Sequence, residues 1–419
     1  MSDFERKAAR FPRGARVTMA GLSADPYPIL AELREHEPVS WVPETGMWFV
    51  TRYDDVLSVL GDFDTYTVDT EESIIRDMFG RHMMTLDGPE QVRHKKQCMP
   101  MFRPKDLADT VGVSVDDRVS RIIEEFAADG EVELRSRLAR PLAVETVTEI
   151  LGLPLEDVPS IAGWYDDFAG ALANFARDPE VRLRGRVSSG QFATLVRSVL
   201  ESLDDTPPDS LIRRLAFWDD RLTDDEIVSN SLIIMFGGIE TTEAQLCNAL
   251  WSVLSHPEVV ADLQADGALI DAAIEESVRW QPSVQSCTRH VTRDVLLRGV
   301  SIQVGDVVQC MLGAANRDPE RFVEPDTFDV HRGDVSAHVG FGTGRHFCLG
   351  APLARFEMRT AIAALLERFP SIALDEARPS ILAGYEFRKP TELWLKWDDG
   401  RGSVPIRCFH PCQLGETDE

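Results

Sequence analysis

Residues 338–350 read HVGFGTGRHFCLG and place one cysteine, Cys348, between a glycine-rich loop and a helical segment. Three glycines lie between positions 340 and 344, and glycine tolerates backbone angles that other residues avoid, so tight turns can aim backbone amides at the sulfur. Pro352 suits a first helical turn, and 351–366 (APLARFEMRTAIAALL) carries apolar residues at helical spacing. The positive end of that helix would lie beside Cys348, an arrangement that favours thiolate over thiol.

The composition is that of a globular protein without a membrane span. The 419 residues are 43% hydrophobic and 27% charged, which suits a well-buried interior and excludes a disordered chain. The longest apolar run, SLIIMF at 231–236, is far shorter than the roughly 18 residues that a bilayer requires. The first residues, MSDFERKAARFPRG, lack the apolar core of a signal peptide. We therefore expect a soluble, cytoplasmic protein.

The charge and the cysteines exclude further classes of protein. A formal net charge of −26 would repel nucleic acid and anionic membranes, so neither is an expected partner. The seven cysteines are odd in number and irregular in spacing, which argues against a secreted disulfide framework, a zinc site or an iron–sulfur cluster. Near the C-terminus, Cys408, His410 and Cys412 are crowded and lack an evident fourth ligand, so a metal site there is disfavoured.

Helical periodicity dominates the chain, and strand-like segments are short. The predicted helices are 25–34, 115–126, 142–151, 223–254, 269–280 and 351–366, and the predicted strands are 47–51, 295–302, 307–311 and 392–396. No repeat or low-complexity linker divides 1–397, whereas 398–419 turn polar and end acidic. The expected fold class is mainly α with small β-sheets (α+β), in one domain at 1–397 followed by a flexible tail at 398–419.

The cysteine loop carries a ten-residue pattern, F-G-x-G-x-H-x-C-x-G, whose fixed positions are Phe341, Gly342, Gly344, His346, Cys348 and Gly350. For an arbitrary cysteine, a buried structural thiol beside a glycine turn would be the simpler interpretation. The full pattern resembles the haem-binding loop of the cytochrome P-450 family, in which the cysteine thiolate is the axial ligand of haem iron. The resemblance makes Cys348 the metal ligand of haem b, brings His346 to a haem propionate, and assigns to the cofactor-binding loop Phe341, Gly342 and Gly350. It also implies the family's triangular, helix-rich fold, with haem between an oxygen-binding helix and this loop.

A second pattern, FGGIETT at 236–242, lies inside the predicted helix 223–254. Two adjacent glycines in a helix interior cost roughly 1 kcal/mol each relative to alanine, and a close helix crossing, with Glu240 solvated, would account for them. The stretch also resembles the family's oxygen-binding helix, A/G-G-x-D/E-T. By that resemblance two glycines open a groove over the haem and an acid–alcohol pair is catalytic, passing protons to bound oxygen; the residues are Gly237, Gly238, Glu240 and Thr241.

Two further segments resemble the family's propionate-binding segments. Residues 87–96 (DGPEQVRHKK) resemble D-x-P-E-H-T-R-x-R-R, with Gln91 and Lys95 where the family has a histidine and an arginine. Both side chains can donate to a carboxylate, although lysine lacks arginine's fork. Arg289, in TRHVTRD at 288–294, matches the family's other propionate arginine. The resemblance therefore places Gln91, Lys95 and Arg289 in the cofactor site.

The family's E-x-x-R pair, a structural feature behind the haem, corresponds to Glu276 and Arg279, with Arg332 from a later loop as its partner. An acid and an arginine three residues apart on a helix are usually surface groups worth a few tenths of a kcal/mol, so this pattern is informative only through its position. The nearby cations of 87–103 are expected to face solvent, namely Arg93, Lys96 and Arg103.

These resemblances span about 20–397 and imply a soluble bacterial-type monooxygenase. It would insert one oxygen atom of O2 into a small organic substrate by hydroxylation, epoxidation or a related oxidation, in natural-product biosynthesis. It would be a monomer that draws electrons from NAD(P)H through a ferredoxin and a ferredoxin reductase. An acidic ferredoxin would require a basic patch beside the cysteine loop, with the candidates Lys96, Arg103, Lys105, Arg345, Arg355 and Arg359. Substrate contacts are expected from 66–84, 164–176, 235–239, 283–288 and 382–387.

Two other classes of function stay open. A haem-thiolate peroxygenase, or an isomerase or dehydratase that uses no oxygen, would often lack the acid–alcohol pair, so Glu240 and Thr241 favour oxygen activation. A non-enzymatic haem or ligand-binding protein would take up haem but oxidise no substrate with any source of electrons.

Overall fold

The computed structural model describes residues 3–174 and 178–398. The predicted tail beyond residue 398, with Cys408, His410 and Cys412, lies outside these ranges. Within them the helices are α1 (Asp3–Arg10), α2 (Met19–Ala24), α3 (Pro26–His36), α4 (Tyr53–Gly61), α5 (Ile74–Phe79), α6 (Gly88–Cys98), α7 (Pro104–Leu107), α8 (Val113–Phe126), α9 (Arg140–Leu151), α10 (Val158–Leu172), α11 (Pro179–Glu201), α12 (Leu211–Ala216), α13 (Asp224–Leu254), α14 (Pro257–Ala265), α15 (Leu269–Trp280), α16 (Leu312–Ala315) and α17 (Ala351–Arg368).

The strands are short and form four small sheets among the described residues. They are β1 (Val39–Val42), β2 (Met47–Val50), β3 (Tyr66–Thr67), β4 (Glu131–Glu133), β5 (Ser286–Val291), β6 (Val295–Leu297), β7 (Val300–Ile302), β8 (Val307–Met311), β9 (Ala373–Leu374), β10 (Leu382–Ala383), β11 (Lys389–Pro390) and β12 (Trp394–Lys396). The largest sheet has the order β1-β2-β8-β5-β3, and its β2/β8 pair is parallel. The other sheets are β4-β12-β9, β10-β11 and β6-β7.

The fold class predicted from the sequence, mainly helical with small sheets, is confirmed, and each of the six predicted helices is present within a few residues of its expected bounds. The predicted strand 295–302 is a hairpin of β6 and β7 instead. Arg298 and Gly299 adopt left-handed backbone angles, φ 46° and 74°, and reverse the chain there. The predicted strand 392–396 is shortened to β12.

Helix α13 runs through the interior of the protein and contributes to two hydrophobic cores. Its start is fixed by a capping box, in which the Glu226 N–H donates to Thr223 Oγ1 (3.2 Å) and the Thr223 N–H donates to Glu226 Oε2 (2.8 Å). Its first half packs with α9, α10 and α11 in one hydrophobic core, and its second half packs with α8, α15 and α17 in another. A helix buried on nearly all sides brings residues 237–243 into the interior. No described helix is both long and apolar enough to traverse a bilayer.

Candidate functional site

The cysteine loop is shaped by its own backbone. Gly342 and Gly344 have φ angles of 70° and 64°, in the left-handed region that favours glycine. The Cys348 N–H donates to the Phe341 carbonyl (2.9 Å) and closes the loop. The Cys348 sulfur accepts backbone hydrogen bonds from Gly350 and Ala351 at the start of α17. The turns and the helix beside the sulfur are therefore as the sequence predicted.

The predicted preference for thiolate does not hold for the protein chain alone. Cys348 is surrounded by protein atoms but keeps part of its surface accessible. Burial, the largest influence, raises the pKa of its thiol. The Gly350 N–H and the charges of Lys95 and Arg355 lower that pKa without reversing the shift. A metal cation bound to the sulfur would be required to stabilise the thiolate.

Helix α6 is fastened to the cysteine loop through the two residues predicted to hold a propionate. Gln91 Nε2 donates to the Arg345 carbonyl (3.1 Å), and Lys95 Nζ donates to the carbonyls of Arg345 and Phe347 (2.7 Å each). Burial lowers the pKa of Lys95, and the nearby Cys348 opposes that shift. Gln91 and Lys95 thus lie beside the loop, although their polar groups are engaged with its backbone.

His346 also has a partner within the protein. Its Nε2 lies 2.9 Å from Asp87 Oδ1, and Asp87 Oδ2 accepts from Thr67 Oγ1 (2.6 Å) and the Val68 N–H (2.9 Å). Burial would raise the pKa of Asp87, but the hydrogen bonds from His346 and Thr67 hold it below the usual value. Asp87 therefore orients the histidine that the resemblance assigns to a propionate, a role that sequence reasoning missed.

Arg289 makes fewer hydrogen bonds to the protein than Lys95, the other cation predicted for the site. It projects from β5, is only 5% exposed, and donates from Nη1 to the Thr288 carbonyl (2.8 Å). Its Nε is buried without a partner among the described residues. A buried guanidinium with an unused donor is costly unless an anion or water completes it, so this side chain fits a carboxylate ligand.

The two adjacent glycines of α13 have different environments. A Cβ added at Gly237 would meet nothing within 4 Å, whereas one at Gly238 would lie 3.0 Å from Val147 Cγ2 on α9. Gly237 therefore faces open space, as a groove requires. Gly238 lies at a close crossing of α13 and α9, which is the alternative explanation that the sequence left open. The expectation that both glycines open the groove is therefore supported for Gly237 only.

The predicted acid and alcohol of α13 are not bonded to each other. Thr241 Oγ1 donates to the Gly237 carbonyl (2.6 Å). Glu240, 6% exposed, accepts from the Tyr165 hydroxyl and from Lys389 Nζ (2.9 Å). Sequence reasoning included Tyr165 only within a broad substrate-contact range and did not identify Lys389, because an isolated lysine beside a short strand carries no motif.

Aromatic side chains gather beside the Gly237 end of this segment. The ring centroid of Phe236 lies 5.8 Å from that of Phe79, 5.9 Å from Phe387 and 6.3 Å from Tyr165. Phe387 forms a β-bridge with Val284. Each of the five ranges predicted to contact substrate contributes one of these residues, although 175–176 fall outside the described part of the chain. The structure brings these ranges together around an apolar cluster.

The E-x-x-R pair is buried and has the predicted third member. Glu276 and Arg279 are both fully buried, with Arg279 Nε 2.6 Å from Glu276 Oε2. Arg332 Nε donates to Glu276 Oε1 (3.2 Å), so the predicted partner is confirmed. The expectation that Arg93 faces solvent is wrong, because its guanidinium pairs with Glu226 at the start of α13. Lys96 and Arg103 are exposed, as expected.

Comparison with known proteins is consistent with this geometry. A family model described as cytochrome P-450 matches residues 189–390. The cytochrome P-450 monooxygenase PikC of Streptomyces venezuelae is 35% identical over 90% of this chain and 92% of its own length. The mycinamicin IV hydroxylase/epoxidase of Micromonospora griseorubida is 31% identical over 95% of this chain and 100% of its own. The crystal structure of CalO2 superposes with a TM-score of 0.81 at 32% identity, over 90% of this chain and 96% of that one.

Proposed function

The chain belongs to the cytochrome P-450 family of monooxygenases, and from that premise we propose that Cys348 is its iron ligand and that Glu240 and Thr241 deliver protons on the opposite side of haem b. As a member of the family it is an oxidoreductase that acts with O2 on small organic molecules. We assign this activity to a haem domain at 1–397. The observation that carries the proposal is the loop in which Gly342 and Gly344 take left-handed backbone angles and the amides of Gly350 and Ala351, at the start of α17, point at the partly accessible Cys348 sulfur.

The residues present fit haem b. Arg289 Nε is a buried donor without a partner among the described residues, which suits a propionate. The open side of Gly237 leaves room for a flat ring beside α13. His346, Gln91 and Lys95 lie on the loop side, where they would hold the second propionate after exchanging their present partners. When bound, haem supplies an iron atom that binds and activates O2 and transfers one oxygen atom to the substrate.

The chain's own residues would control where protons and water reach the reaction. The Thr241 hydroxyl donates to the Gly237 carbonyl in this structure, and it would donate to a ligand in the groove after leaving that carbonyl. Glu240 would supply the proton that Thr241 passes on. The cluster of Phe79, Phe236 and Phe387 would exclude bulk water and orient an apolar substrate.

We propose hydroxylation or epoxidation in natural-product biosynthesis as the biological reaction. PikC and the mycinamicin IV hydroxylase/epoxidase support this assignment through identities above 30% over nearly the whole chain. The aromatic cluster above Gly237 favours a substrate whose reacting part is apolar.

We propose that electrons come from NAD(P)H in the cytoplasm through a ferredoxin and its reductase. Of the six candidate cations, four are exposed and form no ion pair within 3–174 and 178–398, namely Lys96, Arg103, Lys105 and Arg345. The other two are neutralised, because Arg355 pairs with Glu275 (2.5 Å) and Arg359 pairs with Asp271. The docking patch for an acidic ferredoxin is therefore smaller than the sequence predicted.

The central test is the spectrum of the reduced protein with carbon monoxide. We expect the red-shifted band of a haem thiolate in the wild type, its loss in Cys348→Ala, and its retention in Cys98→Ala, a control at another buried cysteine. A band that persists in Cys348→Ala would refute the ligand assignment. Haem binding without substrate oxidation under any electron source would instead favour a ligand-binding protein, and turnover with peroxide alone would favour a peroxygenase.

A further inference from the structure

Glu386 is an acid that adjoins the aromatic cluster of the proposed site. It precedes Phe387, whose ring centroid lies 5.9 Å from that of Phe236. The Gln285 N–H donates to the Glu386 carbonyl (2.8 Å), and the β-bridge of Phe387 follows directly. Glu386 therefore lies where two of the ranges predicted to contact substrate, 283–288 and 382–387, are joined.

The carboxylate of Glu386 has few partners in the protein. The residue is surrounded by protein atoms but keeps part of its surface accessible. Its Oε1 accepts one hydrogen bond, from Gln309 Nε2 on β8 (3.3 Å), and its Oε2 accepts none from the described residues. Burial raises its pKa, and no cation within 3–174 and 178–398 opposes that shift. The described part of the chain does not neutralise this acid.

The acids of α13 differ from Glu386 because they have a cation. Glu240 lies 2.9 Å and Glu243 lies 3.0 Å from Lys389 Nζ. An ionised carboxylate without a counter-ion is costly inside a protein, so it takes up a proton or binds a cation that comes from outside. Side chains with perturbed ionisation are frequent where a protein binds its ligand. Glu386 is thus available to a cationic ligand, whereas the two acids of α13 are already paired.

The titratable side chains next to Glu386 stay uncharged near neutral pH. Burial raises the pKa of Cys287 on β5 and of Tyr385, and the charge of Glu386 raises both further. The Tyr385 hydroxyl donates to Gln309 Oε1, so it remains protonated in a hydrogen bond. Arg289 opposes the shift at Cys287 but forms no ion pair with Glu386. A ligand cation at Glu386 therefore replaces no cation of these neighbours.

We propose that Glu386 is a specificity-determining residue that binds a cationic amine of the substrate, while an apolar part of the same molecule packs against Phe236 and Phe387. This inference rests on the proposed function, because it concerns the substrate of that site. A hydrogen bond from a protonated amine to a carboxylate is roughly twice as strong as one between neutral groups. Such a bond holds the substrate at one end and limits which of its apolar atoms can react. The substrate class is an organic amine with an apolar skeleton.

The test uses three probes with the haem-loaded enzyme, namely decyltrimethylammonium, decan-1-ol and decanoate. The trimethylammonium group keeps its charge at every pH and cannot ligate iron, and binding is measured by the shift of the haem absorption band. We expect Glu386→Gln to bind the cation about tenfold to a hundredfold more weakly than the wild type does. Its affinity for decan-1-ol should equal that of the wild type. Decanoate should bind more tightly to Glu386→Gln, because a repelling charge is gone.

The matched control is Glu392→Gln, which removes the same charge from an exposed acid of the same C-terminal segment. It should leave all three affinities at their wild-type values, so an effect of net charge alone is separated from an effect of Glu386. The wild type should bind decyltrimethylammonium more tightly as pH rises, because burial raises the pKa of Glu386 and the ionised form binds the cation. The affinity of Glu386→Gln for this probe should not change with pH.

Two results would overturn the proposal. An affinity for the cation that is unchanged in Glu386→Gln would show that the carboxylate does not bind it, and equal losses for the cation and the alcohol would show a structural role. Either result, in protein that keeps the red-shifted carbon monoxide band, leaves the proposed function standing. Absence of that band in the wild type would refute the proposed function itself.

Discussion

The cysteine loop and the Glu240 segment are the two halves of the proposed site, and they are held in different ways. The loop keeps its shape through glycine angles and the hydrogen bond from the Cys348 N–H to the Phe341 carbonyl, with Lys95 fastening its carbonyls from outside. Glu240 is held by side chains alone, Tyr165 and Lys389. The loop is held by its backbone, so its shape should tolerate changes in neighbouring charge. The Glu240 carboxylate is held by side chains, so its position should change when a charged partner is removed.

The largest predicted effect concerns the support behind the cysteine loop. Arg279 donates to the Asn316 carbonyl (2.9 Å), and Asn316 Oδ1 accepts from the Val339 N–H (2.7 Å) at the start of the loop. In Glu276→Ala the fully buried Arg279 loses its counter-ion, so the free energy of unfolding should fall by about 3–5 kcal/mol. Urea denaturation measures the loss.

A matched control for this prediction is the exposed pair Arg359–Asp271, which joins α17 to the same helix α15. Asp271→Ala should cost less than about 1 kcal/mol, because water already solvates both charges. Equal losses in Asp271→Ala and Glu276→Ala would show that the buried pair does not support the loop.

Each half of the proposed site has a fully buried acid nearby: Glu243 on α13, beside Glu240, and Glu357 on α17, which follows the cysteine loop. Glu243 has both Lys389 and Arg135 within 3.0 Å. Glu357, on α17, has one oxygen without a partner among the described residues. Burial raises the pKa of Glu357 to about 8, opposed only by a hydrogen bond with Thr146 and the charge of Arg118. The folded protein therefore holds a proton there that the unfolded chain has released above its usual value of 4.5.

The sign of the pH effect follows from that proton. Between about pH 4.5 and 8 the folded state binds more protons than the unfolded state, so Glu357 makes the free energy of unfolding fall as pH rises. Glu357→Gln should remove this slope and be more stable than the wild type at pH 8 by about 1–3 kcal/mol, with little difference at pH 4.5. Urea denaturation at several pH values would show it. Parallel curves for the two proteins would mean that Glu357 is ionised in the fold.

Substituting each of the adjacent glycines of α13 should change the free energy of unfolding by a smaller amount, and the sign shows which glycine faces open space and which packs against α9. Gly237→Ala adds a methyl to open space and should raise the free energy of unfolding by up to about 1 kcal/mol through helix propensity. Gly238→Ala places its methyl 3.0 Å from Val147 Cγ2, so overpacking should cancel that gain or reverse it by about 1 kcal/mol. Thermal denaturation of the pair should rank Gly237→Ala above Gly238→Ala. The reverse order would make Gly237 the packing glycine.

The two halves also differ in how far the sequence predicts them. The turns of the loop and the helical setting of Glu240 and Thr241 could be predicted because each lies in a short contiguous stretch of sequence, and the resemblance to family patterns supplied the roles proposed for them. The partners of Glu240 were not, since Tyr165 and Lys389 lie 75 and 149 residues away in the chain. The different roles of Gly237 and Gly238 depend on Val147 of another helix. The thiolate expected from the sequence is not favoured in the chain alone, because burial raises the pKa of the Cys348 thiol by more than the backbone amides lower it.

The smallest predicted effect concerns the exposed cations beside the cysteine loop. Replacing Lys96 and Arg345 with glutamine removes two cations that have no ion pair among the described residues, so reduction by an acidic ferredoxin should slow several-fold at low ionic strength. The difference should fade as salt shortens the screening length to about 3 Å at 1 M. Stopped-flow reduction at a series of salt concentrations measures both quantities.

The control for the docking patch is Arg359→Gln, because Asp271 already neutralises that cation and its loss should leave the rate nearly unchanged. Equal slowing in Arg359→Gln and in the Lys96 and Arg345 double variant would mean that the partner senses the total charge of this face rather than its unpaired cations. Salt-independent slowing would place the effect in the loop itself, since Arg345 also contributes the carbonyl that Gln91 and Lys95 hold. The salt series therefore distinguishes docking from damage to the backbone-held half of the site.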